Sequence, residues 1–299
     1  PYLDDLAQVF DLESLRQFKV LVDCCNGTSA LILRRMKEHF GLNLILINEK
    51  TEGVDFAHDP AISRETVGLQ LAPLMQPVGA DAGFLFDADS DRVAIATEEG
   101  NPVSEEMILP ILADYVLPRV PGRLVITNIS TTALVEEVAA RHGAKVVRAP
   151  VGRQAAIDAL TGYRPEQVAL AGEGTGAVMM PQFRFVYDGI ASMLAILSMM
   201  AERKARLSEI VNAYPRYSML KGQLPFASRR LPELLMEIQM AYSDGHVTSI
   251  DGLRVDWPDR WFHVRVSQTE PVVRVICEQR GDPPVTLFED LMGRVRSYV

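Results

Sequence analysis

Twice along this 299-residue chain a short apolar run closed by a turn is followed by a segment of helical periodicity and then by another apolar run. KVLVDCCNG (19–27) is a β-branched run ending in Asn26-Gly27, Leu31, Leu33, Met36 and Phe40 then recur at helical spacing, and LNLILIN (42–48) is apolar again. Strand, helix, strand in that order predicts a parallel sheet with crossover helices. The pattern predicts a further helix over 64–77, strands over 79–87 and 92–100 separated by the loop DADSDR (87–92), and a helix capped by Ser104 with Glu105 and Glu106 in its first turn. It then recurs as strand 123–128, helix 131–141, strand 144–150, a helix from Arg153, two short strands around a glycine-rich turn within 167–181, and a long helix from Asp188. After Tyr217 the pattern changes to one helix (231–242), closely spaced strands (253–257, 261–266, 272–278) and a last helix, which is the signature of a small α+β unit. The expected fold is therefore α/β: two related three-layer α/β domains, 1–118 and 119–214, and a small α+β C-terminal domain, 215–299, with a ligand site in the cleft between them.

Charge narrows the partners. Thirty Lys and Arg against 39 Asp and Glu give a net charge of −9, which works against a nucleic-acid or anionic-membrane binder. Any anion must then be met by a local cluster of cations. Cys24, Cys25 and Cys277 are odd in number and two are adjacent, so they make neither a disulfide framework nor a paired metal site, and a reducing cytoplasm is the expected location. No run of 18 apolar residues is present to span a membrane.

Three segments carry polar groups suited to chemistry. Asp87, Asp89 and Asp91 alternate in a loop that follows an apolar strand. Alone they fit either an acidic surface turn or a loop for a hard divalent cation, and the position after a strand of an α/β sheet favours the cation. An EF-hand is excluded by Arg92 at the obligatory glycine. A phosphatase of the haloacid dehalogenase kind also places Asp-x-Asp after a strand, but such a motif opens its domain, whereas here a full strand-helix-strand unit precedes it. GEGTG (172–176) fits a tight hairpin or a loop that presents Glu173 and Thr175 beside flexible backbone to sugar hydroxyls. RVSQTEPVVR (265–274) fits an exposed polar turn or a phosphate clamp of two arginines, two hydroxyls and loop amides.

In this order, the three segments make the chain resemble the α-D-phosphohexomutase superfamily, which interconverts hexose 1-phosphates and 6-phosphates. VDCCNG (22–27), DFAHDP (55–60), VGR (151–153) and YDGI (187–190) extend the resemblance over essentially the whole chain. It implies that Asp87, Asp89 and Asp91 hold Mg²⁺ and that Arg92 neutralises charge on the phosphoryl group in transfer. It also implies that Glu173 and Thr175 contact sugar hydroxyls, that Arg265, Ser267, Gln268 and Thr269 cradle the non-reacting phosphate with Arg274 close behind, and that Arg153 contacts substrate. The implied function is phosphomannomutase/phosphoglucomutase chemistry on a phosphosugar through a hexose 1,6-bisphosphate. A phosphoglucosamine mutase, or a non-catalytic sugar-phosphate-binding module of a larger sugar-activating protein, are the alternatives.

Departures from the family pattern are informative. Ala88 and Ser90 stand at small-residue positions of the metal loop, and Ala177 stands where many mutases have His. The family's phosphorylated serine lies in a Ser-His segment of a preceding domain, and no Ser-His pair occurs here. The expectation is a chain that begins at the linker before the family's second domain, lacks the phosphoserine nucleophile, is inactive alone, and relies on an N-terminal domain in cis or trans.

Overall fold

A computed structural model describes residues 1–51, 55–226 and 228–298, without the side chains of Arg153 and Ser228. The chain divides into two compact units, Pro1–Thr127 with Val135–Val147 and Asp158–Tyr214, and Asn128–Leu134 with Arg148–Ile157 and Pro215–Val299.

The first unit opens with α1 (Tyr2–Val9), β1 (Val20–Asp23), α2 (Ser29–Phe40), β2 (Leu44–Ile47), α3 (Arg64–Gln70), α4 (Ala72–Val78), β3 (Ala82–Phe86) and β4 (Val93–Thr97). Every residue of β1 is buried, as its unbroken apolar run requires of a strand covered on both faces. The sheet order is β2-β1-β3-β4, with β1 parallel to β2 and β3. β4 runs antiparallel to β3, because the few residues of the 87–92 loop cannot make the long crossover that a parallel neighbour needs. The helix expected over 64–77 is two helices: Pro73, in the first turn of α4, has no N–H to continue the α3 ladder.

The second half of this unit repeats the plan. Its elements are α5 (Ile108–Val116), β5 (Leu124–Asn128), α6 (Leu134–Arg141), β6 (Lys145–Ala149), α7 (Arg153–Thr161), β7 (Val168–Gly172), β8 (Val178–Met179), α8 (Gly189–Arg203) and α9 (Leu207–Asn212), with sheet order β6-β5-β7-β8, although Asn128, Leu134, Arg148–Ala149 and the Arg153–Ile157 part of α7 fall in the other unit. Both sheets thus read second, first, third, fourth, with an antiparallel last strand. α5, within the span 1–118 expected for the first domain, packs on β7 and α8 of the second sheet. α8 is apolar around its circumference and buried from Gly189 to Met200, packed on both α5 and β4.

The second unit contains β9 (Tyr217–Pro225), α10 (Leu231–Ala241), β10 (His246–Thr248), β11 (Leu253–Asp256), β12 (Arg260–Val266), β13 (Val272–Arg280) and α11 (Val285–Arg296). The five strands form an antiparallel sheet, β10-β11-β12-β13-β9, whose apolar face (Val255, Phe262, Val264, Val273, Val275) packs on Leu234 and Ile238 of α10 and Leu291 and Val295 of α11. β9 is absent from the sequence expectation because its residues are only partly buried and show no apolar alternation. It is fixed by its pairing with β13 from Val272↔Pro225 to Arg280↔Tyr217. The loops after β5 and β6 belong to this unit. Ala133 N donates to Glu278 at 2.7 Å, Arg254 donates to the Ile129 carbonyl, and Ser130 Oγ lies 2.8 Å from His263 Nδ1.

Candidate active site

In the first unit the side chains of Asp87, Asp89 and Asp91 converge, with one carboxylate oxygen of each within 4.8 Å of the others. Asp87 is 1 % exposed, Asp91 half-buried and Asp89 exposed, so the group is anchored at its base and open at its rim. Arg92 completes it: its Nε donates to Asp87 Oδ2 at 2.6 Å and lies 3.4 Å from Asp91 Oδ1, and its amide donates to Asp87 Oδ1 at 3.1 Å. Burial, aided by the neighbouring Asp91, nevertheless pushes the Asp87 carboxyl up to about 6. Three hard oxygen donors in this space suit Mg²⁺.

Surrounding backbone sets the loop. The turn after β1 presses on it: a Cβ at Gly27 would lie 2.5 Å from the Ala88 carbonyl, which accepts from Thr28 N at 2.9 Å. The Thr28 and Ser90 hydroxyls are 3.0 Å apart, and Ser90 has a φ of 66°. From the other side Gly189 N donates to the Ser90 carbonyl at 3.0 Å. VDCCNG and YDGI therefore act as supports of the aspartate loop. Asp188, whose Oδ1 accepts from Ala191 N at 2.9 Å, caps α8 and also accepts from Tyr2 Oη at 2.9 Å. Asp188→Ala loses both bonds and is expected to lower stability by about 2 kcal/mol, read as a drop in the denaturant midpoint. Tyr2→Phe is expected to lose roughly half of that.

GEGTG forms the turn between β7 and β8, closed by Glu173 N donating to the Ala177 carbonyl at 3.0 Å. Thr175 is exposed and Glu173 half-buried. This turn adjoins the aspartate loop: Val93 N donates to the Gly176 carbonyl at 3.2 Å, and Arg92 bridges to Ala177. Sequence reasoning missed Glu106. It appeared as one of two acidic residues favouring a helix start, but it is buried beneath the turn, and a side chain at Gly174 would collide with its carboxylate.

In the second unit Arg265 and Arg274 are directly opposed across β12 and β13. Arg265 is 4 % exposed and donates through Nε to Asp251 Oδ2 at 3.0 Å. Arg274 Nη2 donates to Glu270 at 2.7 Å, while its buried Nε has no partner among the described residues. Ser267, Gln268 and Thr269 follow in the β12–β13 turn, where Thr269 N and Ser267 Oγ are 3.4 Å apart and Gln268 Nε2 reaches the Val151 carbonyl at 3.5 Å. Arg153 begins α7, and its side chain lies outside the described residues. The predicted residues thus form two groups: Asp87, Asp89, Asp91 and Arg92 beside the Glu173–Thr175 turn in one unit, and Arg265 to Thr269 with Arg274 in the other. Asp251, which holds Arg265, was also missed; its signal was the Asp251-Gly252 turn.

Residues 1–100 match the family described as phosphoglucomutase/phosphomannomutase, alpha/beta/alpha domain II, and residues 104–217 match domain III of the same family. Over 97% of this chain and 64% of the relative, the sequence is 27% identical to a phosphoglucomutase/phosphomannomutase of Thermococcus kodakarensis. It is 30% identical to a probable phosphoglucosamine mutase of Methanosarcina barkeri, over 88% of this chain and 58% of that protein. A solved phosphoglucomutase/phosphomannomutase family protein from Burkholderia thailandensis superposes with a TM-score of 0.79 at 25% identity, covering 98% of this chain and 63% of that one. The chain spans less than two thirds of the length of these relatives.

Proposed function

This chain belongs to the phosphoglucomutase/phosphomannomutase family of the α-D-phosphohexomutase superfamily, and from that premise we propose that it is the metal- and phosphate-binding part of an enzyme that interconverts hexose 1-phosphate and 6-phosphate. The observation that carries the reading is the convergence of Asp87, Asp89 and Asp91 against Arg92 and the GEGTG turn. The three carboxylates would hold Mg²⁺, whose charge offsets that of a phosphoryl group in transfer. Arg92 adds a fixed positive charge beside the same point, oriented by Asp87. Glu173 and Thr175 would accept and donate hydrogen bonds at sugar hydroxyls. Arg265, Ser267, Gln268, Thr269 and Arg274 would bind the second phosphate, with Arg153 as a further substrate contact. Such chemistry needs positioning and charge more than new covalent groups from the protein. The phosphoryl donor would be supplied by a phosphoserine outside these 299 residues, in cis or trans.

Glucose, mannose and glucosamine phosphates share the hydroxyls such a turn reads, and the similarity to a probable phosphoglucosamine mutase makes a hexosamine phosphate the second reading. Among the described residues no helix is long and apolar enough to cross a membrane. Cys24, Cys25 and Cys277 are free thiols, and a cytoplasmic setting fits them.

Calorimetric titration with glucose 1,6-bisphosphate, with and without Mg²⁺, tests the binding role, and a coupled assay with glucose 1-phosphate tests turnover. Mg²⁺-dependent binding without turnover is expected. Turnover by these 299 residues would place the phosphoryl acceptor among them. Failure to bind any hexose phosphate would overturn the reading.

A further inference from the structure

We propose that Asp251 is a positioning residue of the phosphate-binding group, holding Arg265 and the 151–152 loop in one frame so that an incoming phosphate meets a preset guanidinium. The inference rests on the reading of Arg265 as an anion ligand. Asp251 Oδ2 accepts from Arg265 Nε at 3.0 Å and from Val151 N at 3.0 Å. The Asp251 carbonyl accepts from Nε2 of His263, which burial pushes down to about 4 and so keeps neutral, leaving Nδ1 to accept from Ser130 Oγ at 2.8 Å. Gly252, at a φ of 72°, lets the turn run against β12, where any side chain would meet the Val264 carbonyl. One carboxylate thus joins a sheet arginine to the loop that leads into α7.

Its charge and its hydrogen bonds act in opposite directions on an anion. A negative group beside Arg265 repels phosphate. Against that, a free arginine gives up about 2 kcal/mol of rotamer freedom when it is fixed, and a side chain already fixed by Asp251 does not lose it on binding. Arg265 is 4 % exposed and spends only Nε on Asp251; among the described residues its two Nη groups have no partner. Arg274, directly opposite, spends an Nη on Glu270 and has a buried Nε without a partner among the described residues, so each arginine keeps N–H groups that its own carboxylate does not use. The geometry favours orientation over repulsion.

The test is calorimetric titration with inorganic phosphate, below the melting temperature of every variant. Asp251→Ala is expected to weaken binding by about tenfold, while Asp251→Asn, which keeps an oxygen acceptor and drops the charge, stays within about threefold of the parent. In an Arg265→Ala background Asp251→Ala is expected to cause no further loss of binding, a non-additivity that a general loss of stability does not produce. If Asp251→Ala does not fold, Asp251→Glu takes its place: it keeps the charge, shifts the guanidinium by a methylene and is expected to weaken binding. Equal or tighter binding by Asp251→Ala or Asp251→Glu, or an additive loss in the Arg265→Ala background, would overturn the inference. A parent that binds no phosphate, or an Arg265→Ala variant with unchanged Kd, marks failure of the phosphate-site reading itself and removes the inference with it.

Discussion

Asp87→Ala is expected to weaken Mg²⁺ binding on the order of 100-fold at pH 7.5, about 2.7 kcal/mol, while Asp89→Ala has a smaller effect. The difference follows from burial. Asp87 is 1 % exposed and fixed by two bonds from Arg92, whereas Asp89 is exposed and readily replaced by water as a ligand. Burial pushes Asp87 up to about 6, above the ordinary carboxyl value, so in the metal-free protein the folded state favours its protonated form. The stabilisation from that proton is fully present below the unfolded value near 4 and is lost as pH rises through about 6. Mg²⁺ binding, which needs the ionised form, should strengthen over the same window. Added Mg²⁺ should therefore raise the melting temperature more at pH 7.5 than at pH 5, and Asp87→Ala should abolish the difference. Calorimetric titrations and melting curves at the two pH values check this, and a Mg²⁺ affinity equal in parent and variant would remove Asp87 from the metal site.

Much of this architecture is legible in the sequence because short apolar runs have few uses. VLVD reads as a strand covered on both faces, and Asn26-Gly27 marks where it ends. The alternating carboxylates of DADSDR are legible for the same reason, since a loop leaving such a strand has only a few residues before the next one begins. What is not legible is set by pairing at a distance. β9 has no periodicity of its own and is a strand because β13 offers it a complete ladder. Asp251 carries no motif beyond an Asp-Gly turn, and its importance arises from Arg265 and Val151, which are remote in sequence. Glu106 reads as a helix-start charge, a common solvent-exposed role, until the glycines of a turn near residue 174 bring backbone onto its carboxylate. Local propensity locates the elements, whereas the supports of the site are contacts between loops of different elements.

The aspartate loop and the GEGTG turn are held together at Gly176, and Gly176→Ala should therefore be the most damaging conservative substitution in the first unit. Gly176 has a φ of 83°, where an L-residue is strained by roughly 1–3 kcal/mol, and an added Cβ would collide with the backbone carbonyl of Val93. That carbonyl belongs to β4, so it cannot swing aside as a side chain would. Overpacking adds roughly another 1–3 kcal/mol, and the total of about 4 kcal/mol is a large share of a typical domain's stability. Gly143 is the control: it has a φ of 64° but, among the described residues, no atom within 4 Å of its Cβ position, so Gly143→Ala carries only the conformational strain, about 1 kcal/mol. Equilibrium denaturation of both variants separates strain from collision. Displacement of Val93 N from the Gly176 carbonyl would also shift Arg92 at the adjoining bridge to Ala177, so any Gly176→Ala protein that folds should bind Mg²⁺ more weakly than the parent. A Gly176→Ala variant as stable as Gly143→Ala would show that the two turns do not depend on their close approach.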